Sequence, residues 1–222
     1  MGNIKSAIIT VGLIAVLGGC SSPKDASKSN FKAVINAYLD NHCIMVSPRK
    51  SQYPMTVELL PPDGEWAVDK NSEKTEQYDA LVSIDMLEVE EGSAKVSKNR
   101  WLSSEKITVP TKIYSLSEEG KKFFKKNTTT GFFGSSTEGF CAGTLQVTEI
   151  GNFSEPSQAM MGYTVSNVSY TVSPKNVEGW AVNENIVKFF PRLAGELAEE
   201  QEESVTLVLM NDGWVHEREV KR

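Results

Sequence analysis

The chain has 222 residues, 40% of them hydrophobic and 23% charged, with 23 Lys and Arg against 29 Asp and Glu, a formal net charge of −6. That length supports one large or two small domains with real cores, and the acidic balance argues against wholesale nucleic-acid binding. Beyond the N-terminus no apolar run approaches the about eighteen residues that a membrane-spanning helix needs.

Residues 1–19 combine a short head carrying Lys5, an apolar run from Ala7 to Leu17 and the small pair Gly18 and Gly19. Such a run, at about 1.5 Å rise per residue, makes roughly 16 Å of helix, about half of a bilayer's hydrocarbon thickness. It is too short to span and has the shape of an export signal. Leu17-Gly18-Gly19-Cys20 resembles, at all four positions, the lipobox of bacterial lipoproteins. The resemblance implies thioether lipidation of Cys20, cleavage before it and acylation of the new amino terminus. Stable anchoring takes two acyl chains or equivalent signals, and a triacylated cysteine exceeds that. Ser21 stands where an Asp would favour inner-membrane retention in enteric-type lipoproteins. The implied location is therefore the outer membrane, with the protein lipid-anchored and facing the periplasm.

Loss of residues 1–19 removes Lys5 and leaves 22 Lys and Arg against 29 acids, a formal −7. With Cys20 acylated, Cys43 and Cys141 remain as an even pair in an oxidising compartment, which predicts a disulfide between them. Closing a loop of about 100 residues contributes up to about 4.7 kcal/mol on chain-entropy grounds. A catalytic thiol at Cys43 served by His42 is the weaker alternative, because chain neighbours rarely face each other as thiol and base do.

Residues 20–30, CSSPKDASKSN, are small and polar and read as a flexible tether. From Phe31 the spacing of Val34, Ile35, Tyr38 and Leu39 predicts an amphipathic helix ending near Asn41. Proline-marked loops then enclose a short strand, MTVEL. A second helix is predicted from Asn71 or Ser72 through Glu90, stopping before Gly92. TVPTKIYSL reads as a strand, and SEEGKKFFKK as a short helix capped by Ser117 with two acids in its first turn. YDALVSIDMLEVEEG followed by KIYSLSEEGKKFF resembles the second half of a winged helix. That resemblance implies a fold and not DNA binding: the helix that would enter a groove carries Glu73, Glu76, Asp79, Asp85, Glu88 and Glu90 against Lys74, which repels phosphate.

After a Gly/Thr-rich loop, residues 127–139, the pattern turns to strands in GTLQVTEI and MGYTVSNVSYTVS. In the latter a phase slip at Asn167 predicts a bulge. NENIVKFFPRLAGELAEEQ predicts a helix broken or kinked at Pro191, and Asn211-Asp212-Gly213 marks a hairpin between ESVTLVLM and WVHERE. The expected fold is α+β: a mainly helical, winged-helix-like half over residues 31–126, packed with a C-terminal antiparallel sheet of about four strands covered by one helix over residues 140–222. GFCAGTLQVTEIGNFSEPS and GWAVNENIVKFFP resemble small uncharacterised envelope lipoproteins of proteobacteria, which bring no activity to carry over.

Several catalytic and ligand patterns fail on inspection. Gly134 to Phe140 has P-loop spacing but Phe140 where Lys is needed. Asp69 to Glu73 begins like a calcium loop but has Lys74 where the sharp turn wants Gly and Ala80 where the bidentate Glu belongs. Two lone histidines, His42 and His216, make half a zinc site, and acid pairs such as Asp85 with Glu88 or Glu149 with Glu155 are too common for spacing to decide. No cofactor or metal is expected. Charge is uneven: Lys98 to Lys126 holds eight bases against three acids, and Glu178 to Arg222 ten acids against five bases. Within the first stretch, Lys121, Lys122, Lys125 and Lys126 beside Phe123 and Phe124 form a candidate basic patch for anionic lipid or an acidic partner. The function these features favour is a non-enzymatic binding or interaction module held at the membrane, with an envelope protein, anionic lipid or the cell wall as partner and no nucleic acid. The alternatives are a cell-wall or small-ligand pocket lined by Trp66, Trp101, Trp180 and Trp214 and, after it, an envelope hydrolase.

Overall fold

The computed structural model describes residues 22–60, 65–97, 106–128, 135–159, 162–197 and 200–220, so Cys20 and the expected signal segment lie outside the described residues. Ser27 opens the first helix, α1 (Lys28–Asp40), by accepting from the Asn30 N–H at 3.3 Å. Phe31, Ile35, Tyr38 and Leu39 recur on one side of it and are buried. The stretch ahead of α1 does not behave as a tether from Ser22 on. Asn30 Nδ2 donates to the carbonyls of Ser22 and Asp25 at 2.7 and 2.9 Å, and Trp214 Nε1 to those of Lys24 and Asp25 at 3.1 and 3.2 Å.

After α1 come β1 (Ile44–Val46), β2 (Met55–Glu58) and the long α2 (Glu65–Val82). The helix ends earlier than the run of acids and apolar residues predicts. Asp85 takes a left-handed φ of 58°, while Met86 N–H returns to the Leu81 carbonyl at 2.9 Å and Asp85 N–H to Val82 at 3.0 Å. This is the six-to-one and five-to-two pattern of a Schellman cap, made with Asp where Gly is usual. The residues predicted to continue the helix are instead β3 (Leu87–Ser97), paired with β4 (Lys106–Leu116) in unbroken register from Leu87 opposite Leu116 to Ser97 opposite Lys106. With β2 on the other side of β4, they form a three-stranded sheet.

α3 (Glu118–Phe123) is capped by Ser117, whose Oγ accepts from the Gly120 N–H at 2.8 Å. Gly120 packs so closely on the α2–β3 turn that a Cβ there would lie 1.9 Å from the Met86 carbonyl oxygen. β5 (Phe124–Thr128) follows at once and pairs with the start of β6 (Ser136–Phe153). Much of the segment expected as a loop over 127–139 is thus strand. β7 (Ser157–Gln158) and β8 (Thr164–Lys175) come next. α4 (Glu184–Phe189) and α5 (Pro191–Glu196) are separated at Phe190, with Pro191 at the first position of α5, where no N–H is needed. The chain closes with β9 (Gln201–Met210), a two-residue turn and β10 (Gly213–His216).

These strands build a seven-stranded antiparallel sheet in the order β1-β6-β8-β9-β10, with β5 also on β6 and β7 on β8. The expected α+β division is therefore wrong: the protein is mostly β, and there is no helical, winged-helix-like half beside a four-stranded sheet. Residues from both predicted halves share one sheet, because β1 and β5 pair with β6. The bulge expected at Asn167 is also absent, since β8 and β9 stay in register from Thr164 to Val172. Ser166 sits fully buried in the inward phase, its Oγ donating to the Ser154 carbonyl at 2.7 Å, so a polar residue occupies a core position that the apolar pattern skips. The irregularities lie on β6, between Val147 and Glu149 and between Ile150 and Phe153.

Two hydrophobic clusters result. In one, α1 covers β6, β8, β9 and β10, with Phe31 edge-on to both Phe153 and Trp214 at 5.0 and 5.1 Å. The other gathers Leu81, Met86, Tyr114, Phe140, Ile186 and Leu193 from α2, the small sheet, β6, α4 and α5. Among the described residues no helix is long and apolar enough to cross a membrane.

Candidate functional site

Strand alternation sets up the site. Ile44 and Val46 face the core at 4% and 1% exposure, so Cys43, Met45, Ser47 and Arg49 share the opposite face. With Asn127 of β5 and Thr137 of β6 they line a groove of about 700 Å³, whose other side carries Gln77 of α2 and Phe190, Pro191, Arg192, Leu193 and Glu196 around α5. The volume lies within the ligand-pocket range, and the lining mixes apolar surface with a few convergent polar groups.

Three devices hold the groove open. Cys43 and Cys141 form the predicted disulfide, with S–S 2.04 Å and Cα–Cα 5.2 Å across a separation of 98 residues. Asn127 then substitutes for a missing strand neighbour: its Oδ1 accepts from the Cys43 N–H at 3.1 Å and its Nδ2 donates to the Cys43 carbonyl at 2.9 Å. Gln77 ties the two sides, accepting from the Arg49 N–H and donating to the Phe189 carbonyl, both at 3.2 Å. Arg49 and Arg192 are exposed and set positive charge at the groove. The half-buried Glu196 brings a carboxyl group to the groove, and burial pushes its pKa up while Arg192 partly opposes the shift.

A smaller recess of about 360 Å³ adjoins the groove through Cys43, Asn127, Thr137 and Glu196, and extends to Tyr38, His42, Glu203 and Arg218. The Tyr38 ring is stacked between His42 at 3.9 Å and His216 at 3.6 Å. Because a carbonyl can only accept, His42 Nδ1 donates to Tyr38 O at 2.7 Å. His42 Nε2 is buried without a partner. His216, 3% exposed, accepts at Nδ1 from the Arg218 N–H at 3.2 Å. Burial, then Arg218 and His42, pushes its pKa down to about 4. A phenol ring between the two imidazoles keeps them from sharing a metal, and among the described residues no group of three or more His, Cys, Asp or Glu could hold one.

The other predicted residues scatter. Lys121 and Lys122 pair with Glu118 and Glu119 on α3, and Lys126 reaches Glu138 at 3.4 Å; Lys125 is exposed. Their phenylalanines turn inward, Phe123 onto Trp180 at 5.9 Å and Phe124 onto Phe140 at 5.5 Å. Trp180 and Trp214 belong to different hydrophobic clusters, Trp101 lies outside the described residues, and the Trp66 side chain is not described, so the described tryptophans line no common pocket. Asp85, Glu88, Glu149 and Glu155 are all exposed. Asp69 to Glu73 lies within α2 rather than in a loop, and Ser136 to Phe140 is paired strand rather than a phosphate cradle.

Apart from its disulfide, sequence reasoning missed the groove. The signal was present in the alternation of Cys43, Met45, Ser47 and Arg49 against Ile44 and Val46, beside a cysteine already assigned to a partner. Comparison with protein-family models, with curated proteins and with solved structures finds no match for this chain.

Proposed function

We propose that the protein is a lipid-anchored lipoprotein of the bacterial envelope, held at the outer membrane through Cys20, and that it acts as a non-enzymatic binding module whose groove takes an anionic segment of an envelope partner. The observation that carries this reading is the groove of about 700 Å³ that β1 and α5 line. Its apolar part, Met45, Phe190, Pro191 and Leu193, offers contact area, while Arg49 and Arg192 offer fork-shaped donors suited to carboxylates. The hydroxyl of Ser47 is committed to the Glu138 carbonyl at 2.8 Å, so it has no activating base, and recognition is the simpler use of the lining.

The test is site-specific photocrosslinking in cells, with the photoreactive residue at Met45 or Thr137 and a control at Glu149. A discrete adduct is expected from the groove positions, none from Glu149, and loss of the adduct in an Arg49→Glu, Arg192→Glu double variant. Adducts that survive the charge reversal would sink the groove assignment. Labelled palmitate that still enters a Cys20→Ala variant would sink the anchor.

A further inference from the structure

We propose that the anchor seats the domain end-on against the bilayer, on a leg of only two residues, so that the groove and the lysine cluster face away from the membrane that holds it. The inference rests on the lipidation of Cys20 and starts from Ser22, the first of the described residues. Only Ser21 separates Cys20 from Ser22, and the two residue steps, fully extended, span at most about 7 Å. Ser22 itself is fixed, its N–H donating to Asp25 Oδ2 at 2.8 Å and its carbonyl accepting from Asn30 Nδ2 at 2.7 Å.

The next residues are seated on the β9–β10 hairpin. Trp214, 5% exposed, donates to two of their carbonyls. Gly213, at a φ of +141°, leaves room for Pro23; a Cβ there would lie 3.0 Å from the Pro23 carbonyl oxygen. The end of the molecule that holds Ser22 to Asp25 and the Asn211–Asp212 turn is thereby brought to the lipid surface. Lys24 and Lys28 are exposed at this end beside Asp25 and Asp212. Acids accompany the lysines here, so the acyl chains and not electrostatic attraction provide the hold.

α1 then acts as a ruler. Its 13 residues make about 20 Å of helix, and β6 runs alongside in the opposite direction. Phe31 lies beside Phe153, Asn36 accepts from the Val147 N–H at 2.8 Å, and Cys43 is bonded to Cys141. The groove thus begins where α1 finishes. Lys125 and Lys126 lie further along, opposite Gly139 and Glu138. An anionic surface is screened within about 8 Å at physiological salt, so these lysines sit beyond the reach of the bilayer at the anchor. Their partner is whatever the groove end meets.

The experiment uses the full lipidated protein in vesicles of phosphatidylethanolamine and phosphatidylglycerol, with a trace of rhodamine-labelled phosphatidylethanolamine as acceptor. A donor dye is attached through an azide-bearing residue at position 212 or 125, which leaves the disulfide untouched. Energy transfer to the lipid is expected to be several-fold higher from 212 than from 125. A Gly/Ser insert of about twenty residues between Ser21 and Ser22, with a root-mean-square reach of about 25 Å, is expected to bring the 212 signal down to the 125 value. Equal transfer from both positions in the native protein, or a 212 signal indifferent to the insert, overturns the seating. Flotation with the vesicles and palmitate labelling are read separately: protein that neither floats nor takes label has lost the anchor assignment, and the seating falls with it.

Discussion

At its N-terminal end α1 is held by dry aromatic packing, whereas at its C-terminal end the chain is held by a covalent bond and a side-chain amide around open space. Phe31 is fully buried between the edges of Phe153 and Trp214, and burial of this kind is non-directional and closes whatever space it can. A groove cannot be kept open by the same means. Around Cys43 the chain instead uses the disulfide to β6 and the reciprocal pair of hydrogen bonds between Cys43 and Asn127, which fix positions without filling the recess. The contrast fits a helix with one end for seating and the other for presenting a surface.

That contrast can be broken from either side. Phe31→Ala removes a large side chain from the tighter end and is expected to cost about 3–5 kcal/mol in urea unfolding. Its opening should speed amide exchange in the first turns of α1 and leave β1 protected. Replacing Cys43 and Cys141 together by serine is expected to cost about 2–4 kcal/mol, the usual range for a bridge closing a long loop. Here the exchange pattern should reverse, with Ile44 to Val46 exposed and the N-terminal turns of α1 intact. If both variants loosened the same segment, the two ends would not be independent devices.

What the sequence disclosed follows the range of the interactions. Local signals read true: the apolar spacing of α1, Ser117 as a cap, Pro191 as a break and the Asn-Asp-Gly hairpin; the cysteine pairing spans 98 residues and was legible because two remaining cysteines admit one pairing. The end of α2 was missed because its left-handed cap residue is Asp85 rather than Gly, and the first residues of β3, Leu87 to Glu90, were consequently read as helix. The misplaced bulge has a comparable cause in Ser166, a polar residue satisfied inside the core. No local pattern announces that β1 and β5 both join β6, since such pairing depends on residues far apart in the chain. The groove inherits that difficulty, because it brings Arg49 and Arg192 to one cleft.

The smallest of the expected effects probes the polar end through pH. His216 is buried, stacked on Tyr38 and accepting from Arg218 N–H, and its pKa in the folded state lies near 4 against about 6.5 in the unfolded chain. Above pH 6.5 the ring is neutral in both states and stability does not depend on it. Between 6.5 and 4 the unfolded chain binds the proton and the folded one does not, so stability falls as pH falls, by about 2 kcal/mol at pH 5. Glu196, whose pKa is raised by burial, works in the opposite sense. The informative quantity is therefore the difference between the native protein and His216→Gln, which keeps an acceptor without titrating. The gap between their urea midpoints should widen steadily from pH 7 to 5. A gap that stays constant would mean that the protonated ring is accommodated beside Arg218, and the polar end of α1 would then be as tolerant of charge as open surface.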